Sequence, residues 1–512
     1  MPTKMENFST NIINIGVQKD GSYSDSPNFS VKVQRGLPNF LTSVNLQYVK
    51  LGYHILISHG LYIVIAPFLA LIGFAQLGKL VWDDFDLHLD FSSVLLILGL
   101  LCLIAYIYVD FLLPRPTYLV DFACYSPPKE LKVSKQDFIN LARKSGKYDE
   151  KTIEFQAKAL KHSGIGDETY LPKTIFQPGF EKSLKESREE ASMVIFGVVD
   201  NLLASSKINP KDISILIVNC SALNTTPSLS AMVINRYKLK NNVQSFNLGG
   251  MGCGAGTVAI DLARDLLRNY GRSYALVVST EIICHSWYTG KDVDMLLPNC
   301  FLRMGGAAML LTNRRIDRWR AKYELKQIVR THKGTDNRSF KSVYLKEDSE
   351  GKLGFSVSKD VLELGGQAVK TNITTLGPLV LPFSEQLKFF ATLLLNNNSS
   401  TPYIPNYKKA FNHFCILAMN KRVLDEFGNN LELTNEHMEA SRKTLEKFGN
   451  TSCSSVWYEL AYLEANNKIK RGDRIWQITF GSGIKCNSAV WRALRDTACP
   501  KKSPWFEYED SI

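Results

Sequence analysis

The sequence lacks the cysteine spacings and basic runs that would assign it to several common protein classes. Its ten cysteines form no CxxC pair and no framework or zinc-ligand spacing, so reduced thiols in a cytosolic environment are expected. Lys and Arg exceed Asp and Glu by 12, which suits anionic ligands or membrane headgroups. The positive charges are dispersed and not interleaved with aromatics, so no nucleic-acid partner is expected. No short-period repeat is present.

The N-terminal part of the chain is predicted to hold a disordered tail and a membrane anchor. Residues 1–40 are polar and contain no signal-peptide core. Two apolar spans follow at residues 53–77 and 91–113, each near the roughly 20 residues that cross a bilayer. The loop between the spans carries aspartates, whereas most nearby Lys and Arg residues lie outside them, so both ends are expected to face the cytosol. A buried hairpin of a soluble core is the alternative interpretation.

One cysteine stands out because of the residues around it. Cys253 lies within Phe246–Thr257, a stretch that contains five glycines. Residues 243–246 are typical of the end of a strand, and apolar residues between 255 and 267 recur with helical spacing. The thiol is therefore predicted to lie at a strand-to-helix turn. Because a helix N-terminus favours the thiolate, Cys253 is expected to be a nucleophile near neutral pH.

Two other interpretations of this stretch stay open. A single buried cysteine is often no more than a small hydrophobic residue. The pattern Gly250-x-Gly252-x-x-Ala255 also matches a dinucleotide-binding fingerprint. Such glycine spacings arise by chance, and the next acidic residue at the end of a strand, Glu281, comes later than that fingerprint expects.

Beyond residue 118, strands and helices alternate, which predicts an α/β protein with two halves of similar rhythm. The first half contains an amphipathic helix at 186–203 and buried strands at 213–218, 274–279 and 307–311. Residues 333–354 are polar and are predicted to form a surface excursion. The second half contains a strand at 409–416, a helix capped by Thr434 that ends near Phe448, a helix at 456–466 and a strand at 475–480.

Five stretches match a known family in the same order along the chain: Asn247–Cys253, Arg330–Gly334, Lys370–Pro378, Phe448–Ser452 and Phe480–Ser488. They resemble the plant 3-ketoacyl-CoA synthases, and the resemblance extends over residues 38–507. It implies a thiolase-like layered αβαβα fold of two related halves, preceded by the two-helix membrane hairpin. The implied reaction is the decarboxylating condensation of a long-chain acyl-CoA with malonyl-CoA in very-long-chain fatty acid elongation, without a metal or redox cofactor.

The resemblance also implies an organisation and a set of partners. We expect a disordered segment at 1–40, the anchor at 41–117, an N-terminal half at 118–355 and a C-terminal half at 356–512. The expected partners are acyl-CoA, malonyl-CoA, the membrane and other elongase subunits. The chain is expected to form a homodimer, or a heterodimer with related condensing enzymes. Its expected place is the endoplasmic reticulum membrane, with the catalytic part in the cytosol.

The resemblance assigns catalytic roles to named residues. The thiolate of Cys253 would accept the acyl chain as a thioester. Asn450 would donate a hydrogen bond to the enolate oxygen that forms on malonyl-CoA, although without the family it would be taken for an ordinary turn residue. His332 also matches a family histidine. It either takes a direct part or orders the loop in which it lies.

The chain departs from the family at the catalytic histidine. The family pattern is H-F-C-x-H-A-G-G, whereas this chain has His413-Phe414-Cys415-Ile416-Leu417-Ala418-Met419-Asn420. Leu417 therefore stands where the imidazole should be. His413 is a candidate replacement, but four residues along a strand span roughly 13 Å. Since loss of such a group costs about 10²–10⁴-fold in rate, two hypotheses remain: a working or weakened synthase, and a non-catalytic paralogue that modulates partner condensing enzymes.

Overall fold

The computed structural model describes residues 115–395, 405–497 and 502–506, with the backbone alone for 390–395. Within these ranges no helix combines the length and the apolar character that a membrane crossing requires. The predicted disordered tail and both apolar spans of the predicted hairpin precede residue 115. They lie outside the described residues and stay predictions.

Strands and helices alternate along most of the described chain. The strands are β1 (Thr117–Cys124), β2 (Lys132–Val133), β3 (Thr169–Tyr170), β4 (Ile213–Asn219), β5 (Gln244–Leu248), β6 (Tyr274–Glu281), β7 (Gly305–Thr312), β8 (Tyr323–His332), β9 (Val343–Glu347), β10 (Leu353–Val357), β11 (His413–Ile416), β12 (Arg474–Gly481) and β13 (Lys485–Ala493). The helices are α1 (Lys135–Lys144), α2 (Glu150–Ser163), α3 (Leu184–Ser206), α4 (Leu229–Tyr237), α5 (Ala255–Asn269), α6 (Ile283–Ser286), α7 (Val293–Phe301), α8 (Asn337–Phe340), α9 (Val361–Val380), α10 (Phe383–Leu395), α11 (Lys421–Asn430), α12 (Asn435–Phe448) and α13 (Ser455–Ala465).

Nine strands form one mixed sheet in the order β11-β12-β13-β8-β1-β7-β6-β4-β5. Its two sides repeat one arrangement: parallel β4 and β6 continue through antiparallel β7 and β1, just as parallel β11 and β12 continue through antiparallel β13 and β8. The sides join where residues 117–119 of β1 pair with residues 323–325 of β8. β8 precedes residue 355, the predicted limit between the halves, yet it pairs with β13 of the second half.

Two buried helices lie between the halves. α5 contacts β4 and β6 of the first half and β13 of the second, while α13 contacts β1 and β7 as well as β11 and β12. Every residue of α13 except Tyr462 is buried, as expected for a helix covered on all sides. The two helices begin close together, because a Cβ on Gly256 would lie 2.6 Å from the carbonyl oxygen of Cys453. This arrangement is the central helical layer that an αβαβα fold requires.

The sequence pattern explains the elements that flank this layer. β6 and β7 are buried at every residue, which is why most of each strand, residues 274–278 and 305–311, is an apolar run without polar alternation. The side chain of Thr434 accepts a hydrogen bond from the His437 backbone N–H and caps α12, as predicted. The polar stretch at 333–354 contains α8, β9 and the turn that leads to β10, whose antiparallel pairing with β9 forms a separate hairpin.

Candidate active site

The turn that carries Cys253 has the predicted strand-to-helix form. β5 ends at Leu248, a 3-10 turn spans Gly252–Gly254, and α5 begins at Ala255. Gly252 has φ +66°, and a Cβ there would lie 2.6 Å from the backbone nitrogen of Ser482. A side chain at this position would therefore be strained and would push Ser482 away. The glycine at position 252 lets the loop at Ser482 close directly over the cysteine turn.

A second turn, from the other half of the chain, faces the cysteine. It contains Asn450 and a 3-10 turn at Ser452–Ser454, and it leads into α13 as the cysteine turn leads into α5. The hydroxyl of Ser452 donates a hydrogen bond to the sulfur of Cys253 at 3.3 Å. Because each half supplies one turn, Cys253 and Asn450 meet at the join between the halves.

Asn450 is held so that its side-chain nitrogen remains available. Its Oδ1 accepts a hydrogen bond from the Ser452 backbone N–H at 2.8 Å. Its backbone N–H donates to the carbonyl of Phe301, and its own carbonyl accepts from the backbone N–H of Arg303. The Nδ2 atom of Asn450 donates to no other described residue, and Asn450 lines the same cavity as Cys253. The amide can therefore donate to an oxygen of a bound molecule.

The cavity at these turns is large and mostly apolar. Its volume is about 1710 Å³, and Cys253, Asn450, Ser452, Glu281 and His332 contribute to its wall. Much of the remaining wall is made of apolar side chains from α7, the β9–β10 hairpin, α9 and α11: Val293, Leu297, Phe301, Val343, Leu345, Phe355, Val357, Val361, Leu362, Val369, Ile373, Val423, Phe427 and Leu431. Such a wall suits a long apolar ligand that ends at the thiol.

The predicted low pKa of the Cys253 thiol is wrong. Burial raises the pKa to about 11, the hydroxyl of Ser452 lowers it, and the nearby carboxyl of Glu281 raises it further. Loss of hydration around the thiolate therefore outweighs the favourable position before α5. At neutral pH roughly one thiol in 10,000 is ionised. Cys253 is nevertheless the most accessible of the eight cysteines in the described chain, since it is half-buried and the other seven are fully buried.

We expect alkylation of Cys253 to be slow at neutral pH and to accelerate about tenfold per pH unit up to about pH 10. Only the thiolate reacts, and its fraction rises in this proportion below a pKa near 11. Iodoacetamide labelling of the folded protein, followed by peptide mass spectrometry, measures the rate. The buried Cys486 is the internal control and should remain unlabelled. A rate that levels off below pH 8 would contradict the raised pKa.

Glu281 is a site residue that the sequence singled out only as a poor match to a nucleotide fingerprint. It is the last residue of β6, and its carboxylate accepts hydrogen bonds from the backbone N–H groups of Ser221 and Ala222 at 3.2 and 2.9 Å. Burial raises its pKa. A carboxyl group at the end of a fully buried strand was the available signal, because such a strand ends at the floor of a site in many α/β folds.

Leu417 lies at the edge of the sheet and not on the cavity wall. Its backbone N–H donates to the carbonyl of Ile478 on β12, and its side chain is fully buried in the core. On the side of the strand that does not pair with β12, the backbone N–H groups of Ile416 and Ala418 donate to the hydroxyls of Ser441 and Ser455. Met419, two residues on, does line the cavity. The backbone at this position is fully bonded, but the side chain supplies no proton donor.

The two candidate histidines lie in different places. His332 lines the cavity, and its Nδ1 accepts a hydrogen bond from the backbone N–H of Gly334 at 2.9 Å. Burial and the neighbouring Lys485 lower the pKa of His332, so its neutral ring orders this loop. His413 instead pairs with Asp473, Nε2 to Oδ2 at 3.0 Å, and lines a separate pocket of about 460 Å³. The structure does not bring His413 to Cys253.

Comparisons with known proteins cover most of the chain. The family described as FAE1/Type III polyketide synthase-like protein matches residues 110–398, and the 3-oxoacyl-[acyl-carrier-protein (ACP)] synthase III C-terminal family matches residues 407–493. 3-ketoacyl-CoA synthase 4 of Arabidopsis thaliana is 49% identical over 500 residues, or 96% of each chain. 3-ketoacyl-CoA synthase 11 of the same plant is 51% identical over 485 residues, covering 92% of this chain and 94% of the relative.

Solved structures share the fold at lower identity. A fungal type III polyketide synthase is 16% identical with a TM-score of 0.58, covering 74% of this chain and 99% of its own. The 1,3,6,8-tetrahydroxynaphthalene synthase from Streptomyces coelicolor is 20% identical, with the same TM-score and the same coverage. The predicted thiolase-like α/β fold is therefore confirmed for the described residues.

Proposed function

The chain belongs to the 3-ketoacyl-CoA synthase family, and from that premise we propose that it condenses a long-chain acyl group with malonyl-CoA. The observation that carries the proposal is the meeting of Cys253 and Asn450 at one apolar cavity. The thiol can hold the acyl group, and the cavity can hold its chain. The reaction is that of very-long-chain fatty acid elongation.

The proposed reaction has two steps and uses no metal or redox cofactor. First the sulfur of Cys253 attacks the acyl-CoA thioester, the bond to the CoA sulfur breaks, and the thiol proton leaves with CoA. Malonyl-CoA then loses carbon dioxide and becomes an enolate, whose oxygen accepts a hydrogen bond from Nδ2 of Asn450. In the same second step the enolate carbon attacks the acyl thioester and gives 3-ketoacyl-CoA, and the released Cys253 thiolate takes up a proton from solvent.

Decarboxylation is proposed to be the slow step in this protein. In the family a histidine and an asparagine share the developing charge of the enolate, but here Leu417 supplies no donor. Two imidazoles line the cavity within the described chain, those of His162 and His332. Nδ1 of His162 bonds the carbonyl of Lys158, and Nδ1 of His332 is occupied by Gly334. The neutral His332 ring keeps its Nε2–H as a donor, but Asn450 lies two residues from Ser452, whose hydroxyl bonds the Cys253 sulfur, and is the side chain that is placed to stabilise the enolate.

A second function, modulation of a partner synthase, is favoured by the same buried Leu417 and by the high pKa of Cys253. Microsomes that contain this chain alone, an active relative alone, or both together distinguish the two functions. Elongation by this chain alone, supplied with acyl-CoA and malonyl-CoA, supports the condensing enzyme. No elongation by this chain, combined with a changed rate or product length of the relative, supports the modulator.

The proposed assembly is a dimer through β5. This strand is one of the two edges of the nine-stranded sheet, pairs only with β4 among the described strands, and exposes Gln244 and Ser245. An exposed edge offers free backbone groups to a second strand. The partner is a second copy or a related condensing enzyme, and other elongase subunits act on the product.

The proposed location is the endoplasmic reticulum membrane with the catalytic part in the cytosol, supported by the charges that flank the apolar spans of the sequence. Glycosylation sequons bear on it, among them those at Asn224, Asn337, Asn372 and Asn450. Asn372 is buried and donates to the carbonyls of Val329 and Cys486, and Asn450 is buried as well. Among the described residues, the sequons at Asn224 and Asn337 are exposed and can report on the compartment.

In intact microsomes we expect Asn224 to carry no glycan, because oligosaccharyl transfer takes place on the lumenal side. Electrophoretic mobility before and after glycosidase treatment checks this expectation, with a lumenal glycoprotein of the same microsomes as the positive control. A glycosidase-sensitive shift that disappears in Asn224→Gln would contradict the proposed topology.

A further inference from the structure

An exposed apolar and basic surface lies outside the site described above. It is centred on the 3-10 turn Arg315–Trp319, which follows β7. Ile316 is 68% exposed and Trp319 is 78% exposed, as much as any large apolar side chain in the described part of the chain. Large apolar side chains in this state cost free energy in water, so their exposure indicates a contact surface.

The turn is rigid, and its geometry directs the two apolar side chains outward. Asp317, between them, is buried and accepts a hydrogen bond from the hydroxyl of Tyr274 at 2.6 Å. The guanidinium of Arg320 pairs with the same carboxylate at 2.9 Å. With Asp317 fixed inside, Ile316 and Trp319 lie on the outer side of the turn, so their exposure follows from the packing.

Arginines surround these two side chains. Between Arg314 and Arg320 the sequence holds four arginines against one acidic residue, Asp317. Arg318 is exposed. The loop between α5 and β6 adds the exposed Tyr270 and Arg272, because Asn313 donates to the carbonyl of Tyr270 and so holds that loop beside the turn. Arg314, like Arg320, pairs with Asp317, at 3.4 Å. We call Tyr270, Arg272, Ile316, Arg318 and Trp319 the Trp319 patch.

The Trp319 patch adjoins the point at which the described chain begins. Arg115, the first described residue, donates a hydrogen bond from its guanidinium to the carbonyl of Tyr270 at 3.1 Å. β1 starts two residues later and contacts the turn that carries Trp319. The residues immediately before Arg115 belong to the second apolar span of the sequence, which ends at residue 113. A bilayer that holds this span would lie close to the patch.

We propose that the Trp319 patch docks the catalytic domain on the anionic phospholipid surface of the bilayer. Tryptophan and tyrosine are the side chains that favour the headgroup region, because one part of the ring is apolar and another part donates a hydrogen bond. Guanidinium groups bind phosphate and are attracted to an anionic leaflet. Docking fixes the orientation of the domain relative to the membrane from which a long acyl chain is taken. The inference does not depend on the condensation reaction.

The experiment uses the full chain in vesicles of phosphatidylcholine, with or without about 30 mol% phosphatidylserine. A photoreactive benzoylphenylalanine replaces Trp319 in one protein and Leu184 in another. Leu184 is the matched control because it is 53% exposed and is followed by the exposed Lys185. Leu184 is the first residue of α3. Ser205, near the other end of that helix, is about 30 Å away and contacts Asp121 of β1. Leu184 is therefore distant from Asp121 on β1.

We expect lipid adducts at position 319, far fewer at position 184, and more adducts when phosphatidylserine is present. Arg318→Glu should lower the yield at position 319 about fivefold or more, the factor that corresponds to roughly 1 kcal/mol per cationic side chain near an anionic surface. Lys185→Glu should leave the yield at position 319 unchanged. Circular dichroism checks that each variant is folded.

Three outcomes would overturn the proposal. Adducts at position 319 that join two protein chains would make the patch an interface with a second copy or an acidic partner. Equal lipid adducts at positions 319 and 184 would mean that the patch has no preference for the bilayer. A yield that is the same with and without phosphatidylserine would remove the headgroup contact.

Discussion

Replacing Leu417 by histidine, together with Met419→Gly and Asn420→Gly, should raise malonyl-CoA-dependent elongation by about 100-fold or more. Leu417 is buried and is not on the cavity wall, whereas Met419 is, so Met419→Gly is expected to open the cavity toward position 417. The imidazole then adds the second hydrogen-bond donor that the enolate oxygen lacks, and gains of about 10²–10⁴-fold accompany such a group. The two glycines restore the family pattern beside it, and Met419 already lines the cavity. The measurement is the rate at which purified or microsomal protein forms 3-ketoacyl-CoA.

The glycine substitutions have a structural cost that controls can separate. The side chain of Asn420 caps α11 by accepting a hydrogen bond from the Val423 backbone N–H at 2.9 Å. Replacing Asn420 by glycine should lower the free energy of unfolding by a few tenths of a kcal/mol, and by about 1 kcal/mol at most. Leu417→Met is the matched control, because it nearly conserves volume and adds no proton donor. It should leave the rate unchanged. A native protein that already elongates rapidly, with no gain from Leu417→His, would contradict the role assigned to this position.

Cys253→Ala should abolish both acyl loading and elongation, the latter by about 10³-fold or more, because the thioester cannot form on an alanine. Intact-protein mass spectrometry after incubation with a long-chain acyl-CoA measures the loading directly. The native protein should gain the mass of one acyl group, slowly at pH 7 and faster at pH 9, since burial raises the pKa of Cys253 to about 11.

Cys453 is the control for this substitution. It occupies, in the second half, the place that Cys253 occupies in the first: a 3-10 turn directly before a central helix. Its thiol is buried and donates to the carbonyl of Thr280. Cys453→Ala should keep loading at one acyl group and lower stability by about 1 kcal/mol. Acyl groups on Cys253→Ala, or their loss in Cys453→Ala, would show that Cys253 does not hold the acyl chain.

The local features of the site could be predicted from the sequence, whereas its electrostatics could not. The glycines and the helical spacing after Cys253 predict its turn, because these signals lie within twenty residues. The pKa of the thiol depends on Ser452 and Glu281, which approach it only in the folded chain. A helix N-terminus alone predicts the wrong direction, since burial by the turn from the other half outweighs it.

In the two halves of the fold, too, the local pattern could be predicted from the sequence, whereas the long-range contacts could not. The alternation of strands and helices predicts their existence, but the pairing of β8 with β13 depends on contacts between residues more than 150 positions apart. The place of His413 also follows from the fold, because Asp473 holds it in a separate pocket. The four arginines between positions 314 and 320 indicate a surface turn, but they do not show that Ile316 and Trp319 face outward. The exposure of the Trp319 patch results from the burial of Asp317, which only the packing shows.

Release of labelled carbon dioxide tests the central claim most directly. Enzyme loaded on Cys253 with a long acyl chain receives malonyl-CoA labelled in its free carboxyl group, and carbon dioxide is counted during a single turnover. If Leu417 leaves the enolate without its second donor, loading is complete in the native protein while carbon dioxide release is slow. Leu417→His combined with Met419→Gly and Asn420→Gly then accelerates release by about 100-fold or more without changing the loading. Equal release from the native protein and this triple variant would contradict the account.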